Sequence, residues 1–188
     1  MKRSEINALV REATSVFELS GWALPPEPRW DVTDFGLGDW QRFGLVLINL
    51  ADEREYCEKL MYARKGMQTP AHAHKLKKED IIARRGTLQI ALWKDATLGR
   101  EGDVEIKLNG APLKVPSGST LELPSGHRVT LFPGVYHAFE PVTEHCVIGE
   151  VSTANDDLHD NFFVNSNVGR YAAIEEDEPP IAPLVSDR

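Results

Sequence analysis

The chain of 188 residues is 41% hydrophobic and 27% charged, which excludes a fibrous, a wholly disordered or a disulfide-stapled protein and fits one core, with or without an arm. Lys and Arg number 21 against 29 Asp and Glu, a formal net charge of −8. The chain as a whole therefore does not attract a phosphate backbone, and neither nucleic acid nor a membrane is an expected partner, since no apolar run approaches the ~20 residues that span a bilayer.

In chain order, residues 4–20 read as an amphipathic helix, with Ile6, Leu9, Val10, Ala13, Val16 and Phe17 at helical spacing and Ser20-Gly21 as its stop. Basic Met1-Lys2-Arg3 precedes it, but no signal-type apolar stretch follows. The expected location is the cytoplasm, with Cys57 and Cys146 as buried free thiols. Residues 22–42 read as an irregular segment. It holds Pro25, Pro26 and Pro28, and its aromatics Trp22, Trp30, Phe35 and Trp40 imply packing over something else.

From residue 43 the pattern becomes that of short strands. Runs at 43–50, 56–62, 81–85, 87–93, 104–108, 112–115, 120–123, 129–132, 138–142 and 146–152 alternate or are apolar, and turn residues separate them. Asn109-Gly110 is a two-residue hairpin signal. Such a series, with no long helix inside it, predicts an all-β sandwich or barrel. The division expected is a helix and aromatic loop over 1–42, packed on a barrel with a C-terminal tail over 43–188. In the tail, the acidic stretch before Pro179 reads as a solvated face.

The chemistry concentrates between Gly66 and Gly86. On a strand, residues i and i+2 share a face, so His72 and His74 present two imidazoles together. Glu79 can join them from a neighbouring strand, and His137, in Pro133-Gly134-Val135-Tyr136-His137, can join by barrel closure. Imidazoles and a carboxylate suit a divalent first-row metal.

These stretches resemble the two motifs of the cupin superfamily. Gly66 to Gly86 matches G-x5-HxH-x4-E-x6-G at every fixed position. Gly134-x2-His137 fits the second motif, although its proline sits one place late at Pro133 and Pro141 replaces the final Asn. The resemblance implies a jelly-roll β-barrel with a metal held by His72, His74, Glu79 and His137. A narrower resemblance, to D-lyxose isomerases, is carried by His72-Ala73-His74-Lys75-Leu76-Lys77-Lys78-Glu79 and by Asp34-Phe35-Gly36-Leu37-Gly38-Asp39. Gly149-Glu150-Val151-Ser152, Asn155-Asp156-Asp157, Asp160-Asn161, Gly169-Arg170 and the block from Ile174 to Pro180 extend it.

That family resemblance implies interconversion of D-lyxose with D-xylulose, and of D-mannose with D-fructose, by a homodimer holding one Mn²⁺ per chain. Co²⁺, Fe²⁺, Ni²⁺ and Zn²⁺ are alternatives at the same donor set. It implies catalytic roles for Lys77 and Glu150 and, on a looser alignment, Asp160. Asp160 and Arg170 join Lys77 and Glu150 as sugar-binding groups, with Asp160 able to assist ring opening. Glu150 is expected as the base that moves the carbon proton through an enediol, and Lys77 as the group that serves O1 and O2. A hydride shift is the rival mechanism. Two other activities remain open on the sequence, an Fe²⁺ cupin dioxygenase and a non-catalytic sugar-binding cupin. His127, His145 and His159 receive no role, and Trp30 and Trp40 read as core aromatics.

Overall fold

The computed structural model describes residues 1–153, 155–156, 159–169 and 173–187. Among these described residues two helices and thirteen strands are formed: α1 (Arg3–Leu19), β1 (Trp30–Thr33), α2 (Trp40–Phe43), β2 (Leu45–Asp52), β3 (Tyr56–Arg64), β4 (His72–Ala73), β5 (Glu79–Arg85), β6 (Leu88–Trp93), β7 (Asp103–Leu108), β8 (Ala111–Pro116), β9 (Ser119–Leu123), β10 (Arg128–Leu131), β11 (Tyr136–Pro141), β12 (His145–Thr153) and β13 (Phe162–Phe163). All ten runs read as strands are strands, because each offers an apolar face for a sheet to bury. The Asn109-Gly110 turn joins β7 to β8 with both residues at positive φ, 51° and 86°, as the tight primed hairpin requires.

The described strands form two antiparallel sheets rather than one continuous ring. The larger runs β1-β2-β3-β12-β5-β10-β7-β8 and the smaller β13-β4-β11-β6-β9. From β9 to β12 the chain alternates between sheets at each step, the habit of a jelly roll. Gly86, at φ 82°, carries the chain from β5 to β6. A Cβ there would collide with Thr143 Oγ1 and lie 2.6 Å from the His145 carbonyl oxygen, so the crossing needs a residue without a side chain.

The large sheet has two different faces. Outward, Val46, Ile48, Leu60 and Tyr62 are fully buried against helix α1, whose Phe17 stacks on Trp30 at 6.2 Å and meets Tyr62 edge-on at 6.5 Å. The inward face of the same strands lines a cavity between the sheets. Strand β1 lies within the segment expected to be irregular. Its four residues alternate, and β2 supplies the pairing partner that makes them a strand, with Trp30 opposite Ile48 and Thr33 opposite Leu45.

The acidic stretch before Pro179 is not simply a solvated face. Glu176 takes two hydrogen bonds from the buried Arg3 guanidinium at 2.8 and 2.7 Å. Asp177 accepts from the Ser4 amide and hydroxyl at 2.8 and 2.6 Å. These carboxylates sit at the positive end of α1 and hold the tail to the helix, a contact between residues ~170 apart that sequence proximity cannot signal.

Candidate active site

Strand β4 is only two residues long, yet it joins the two motifs. His72 lies opposite His137 in the β4–β11 ladder, and the Gly134 amide donates to the His74 carbonyl at 2.6 Å. The donor atoms of His72, His74 and His137 then lie within 4.8 Å of one another. Each ring is fixed through its Nδ1, with the Pro70 carbonyl at 2.8 Å from His72, the Asp160 carbonyl at 2.6 Å from His74 and the Val135 carbonyl at 3.1 Å from His137. A backbone carbonyl can only accept, so each Nδ1 carries a proton toward it, and Nε2 is the atom each ring can offer to a metal.

Glu79, the first residue of β5, brings Oε1 to 3.1 Å from His137 Nε2 and 3.5 Å from His74 Nε2. Among the described residues, His74 Nε2 and Glu79 Oε1 are buried without a hydrogen-bond partner. Orphaned acceptors of this kind are costly unless something electropositive satisfies them. Burial, reinforced by His137 and His74, pushes His72 well below the ordinary imidazole value. Burial also lowers His74, against the pull of Glu79. Burial opposes ionisation of Glu79, but the Lys77 ammonium and the His137 ring outweigh it and hold its carboxyl well below the usual range. Imidazoles held toward neutrality at His72 and His74, beside the ionised Glu79, are the protonation states that a divalent metal selects, so the residues fit one.

Beside this cluster lies a second group. Lys77 Nζ is 3.0 Å from Glu79 Oε2 and 2.9 Å from Glu150 Oε1, with its side chain 4% exposed. Burial works against its charge, but Glu79 and Glu150 outweigh that and raise Lys77 above an ordinary lysine. Glu150 lies in β12 opposite Lys59 of β3 and Ile81 of β5, pointing inward. These residues line a cavity of about 290 Å³ with Phe35, Phe139 and Phe163 among its apolar walls.

Of the residues singled out by sequence, the structure brings His72, His74, His137, Glu79, Lys77 and Glu150 to this one cavity. It sets Asp160 behind them. The Asp160 carboxylate accepts the amides of Lys75 at 2.8 Å, Leu76 at 3.1 and 3.2 Å and Lys77 at 2.9 Å, and Asp160 is not among the cavity-lining residues. Burial opposes its ionisation, but these amides prevail and lower its pKa. Arg170 lies outside the described residues. Trp30 is a core residue and Trp40 packs against Arg64, while His127, His145 and His159 do not line the cavity.

Sequence reasoning missed Asp31, Thr33, Lys59 and Asn161, which do line it. The alternation Trp30-Asp31-Val32-Thr33 was the available signal for the first two. Trp30 turns to the helix, so Asp31 and Thr33 turn inward.

Fold and site define a cupin-type jelly roll whose three histidines could bind a divalent metal. The family model described as D-lyxose isomerase matches residues 27–188. A D-lyxose/D-mannose isomerase of Escherichia coli O157:H7 is 34% identical over 95% of this chain and 94% of its own. One from Serratia proteamaculans is 39% identical over 80% and 72%. Among solved structures, the fold is shared with the L-ribose isomerase of Acinetobacter sp. DL28 in complex with L-ribose, at TM-score 0.71 and 18% identity over 93% of this chain and 98% of that one. The chain belongs to the D-lyxose isomerase family, and it is an aldose–ketose isomerase. No described helix is long and apolar enough to cross a membrane.

Proposed function

We propose that this protein interconverts D-lyxose with D-xylulose, and D-mannose with D-fructose, as a cytoplasmic homodimer using one Mn²⁺ per chain. His72, His74, Glu79 and His137 are assigned as its ligands. The observation that carries the reading is the buried Lys77–Glu150 pair, 2.9 Å apart, on the wall of the cavity that the histidines also line. A metal site alone would serve many chemistries. A buried acid and a buried base beside it serve proton transfer.

When bound, the ion supplies Lewis acidity for a sugar carbonyl and its neighbouring hydroxyl. Glu150 removes the proton from C2 of the open-chain aldose, and the electron pair of that C–H bond becomes the C1–C2 double bond. O1 takes a proton from the Lys77 ammonium, giving the enediol. The resulting amine then receives the O2 proton, and Glu150 returns its proton to C1. The ketose is formed and both side chains regain their starting states. Asp160, whose carboxylate is engaged with three amides, is assigned to positioning His74 and Lys77 rather than to moving a proton. Arg170 is proposed as a sugar-hydroxyl contact on the family resemblance.

The test is a panel of aldoses with protein loaded in turn with Mn²⁺, Co²⁺, Fe²⁺, Ni²⁺ and Zn²⁺. Ketose should form from D-lyxose and D-mannose, and in deuterated water it should carry solvent deuterium at C1. Failure of every aldose with every metal would overturn the proposal, and a product free of solvent deuterium would replace proton transfer by hydride shift.

A further inference from the structure

The geometry points to Lys59 as a positioning residue for this isomerisation. Together with Lys77 it pins a single oxygen of Glu150 and so designates the other oxygen as the atom that carries the proton. The inference rests on the reading of Glu150 as the base.

Lys59 lies in a strand otherwise rich in buried apolar side chains, where Cys57, Leu60, Met61, Tyr62 and Ala63 are all within 2% of full burial. Its own side chain is 6% exposed. An ammonium withdrawn that far from water costs several kcal/mol unless anionic or polar partners compensate, so a lysine here is placed for a reason. The β3–β12 ladder sets Lys59 directly opposite Glu150. Its Nζ is 3.5 Å from Glu150 Oε1 and donates to Asn155 Oδ1 at 3.0 Å.

Lys77 approaches Glu150 from another direction, out of the turn between β4 and β5, and contacts that same Oε1 at 2.9 Å. Two cations thus converge on one oxygen. Among the described residues, no hydrogen bond is made to Oε2. Lys77 donates a hydrogen bond to Oε1 and the Lys59 ammonium adds an ion-pair contact to the same atom, while Oε2 remains available within the cavity that Glu150 and Lys59 both line. A carboxylate free to rotate about its last torsion would present either oxygen in many directions. One clamped at Oε1 from two sides presents Oε2 in one.

A residue with this role changes how often the base is correctly aimed, not how tightly the sugar is held. In the Mn²⁺-loaded protein, Lys59→Met should lower kcat about 30-fold, the scale of a small misplacement of a reacting group. KM should stay within about threefold and metal content should not change. Solvent-deuterium exchange at C2 of D-lyxose should fall by the same factor as kcat. Lys59→Arg, which keeps a cation opposite Glu150, should recover most of the loss, a rescue that a merely space-filling role would not show. If Lys59→Met does not fold, Lys59→Gln, which keeps a donor for Asn155, carries the same expectation. Glu150→Gln serves as the discriminating arm. An active Glu150→Gln would remove the reading of Glu150 as base. An inactive Glu150→Gln beside a Lys59 variant with kcat within twofold of the parent would remove only the role of Lys59.

Discussion

Replacing Asp160 separates two roles that a carboxylate near a sugar site can have. Its side chain holds three successive amides of the turn that carries Lys77, and its carbonyl fixes the His74 ring. In Asp160→Ala those amides lose their acceptor. Lys75 and Leu76 are exposed and can turn to water, but Lys77 is buried. The loss is therefore close to that of one charge-assisted hydrogen bond at a buried donor, about 2–3 kcal/mol. At roughly 2–4 °C per kcal/mol for a chain of this size, the metal-free protein should melt about 5–10 °C lower. Because the turn sets both His74 and Lys77, metal affinity should fall about 10–100-fold. Asp160→Asn, which keeps one oxygen but turns an N–H toward a donor, should fall between the parent and Asp160→Ala. Thermal unfolding by circular dichroism on metal-free protein, together with a metal titration, measures both effects without the stabilisation that bound metal adds. A variant that melts within about 1 °C of the parent, binds metal as tightly, and still loses turnover would refute the positioning role and return Asp160 to the proton-transfer chemistry.

Glu150→Gln and Lys77→Ala should retain metal and lose about 10³-fold in kcat, the scale of a missing acid or base; retention of full turnover by either would remove that residue from the mechanism. Gly86→Ala should lower stability by about 2–4 kcal/mol, since a Cβ there meets Thr143 and His145. Gly126→Ala, also at positive φ but with nothing within 4 Å, should cost only about 1 kcal/mol, and equal melting temperatures for the two would discount the clash. Burial pushes the Cys57 thiol up to about 11 and the Cys146 thiol up to about 12. The native protein should therefore resist a disulfide reagent at pH 8 and show both thiols only on denaturation. Rapid native labelling would contradict their burial.

The sequence by itself determined the strand series, the helix and the histidine pair, because each depends on a local repeat. The HxH spacing keeps His72 and His74 within reach of one ion although the strand ends at Ala73, and Asn109-Gly110 forces its turn wherever the hairpin lies. Membership in the family was also legible, because the H-x-H-x-x-K-x-E segment from His72 to Glu79 and blocks such as Asp34–Asp39 and Gly149–Ser152 are each compact enough to survive as strings. What only the tertiary structure decided are relations between distant segments. The four residues of β1 became a strand because β2 offered an edge to pair with. The acidic tail became the clasp of α1 because the helix N-terminus and Arg3 lie beside it. Asp160 faces the amides of its neighbouring turn and not the cavity, and Lys59 faces Glu150 across a ladder that joins residues 91 positions apart. A side chain's partner across a sheet depends on which strands pair and in what register, and that choice is made by burying apolar surface over the whole molecule, so no local window of sequence contains it.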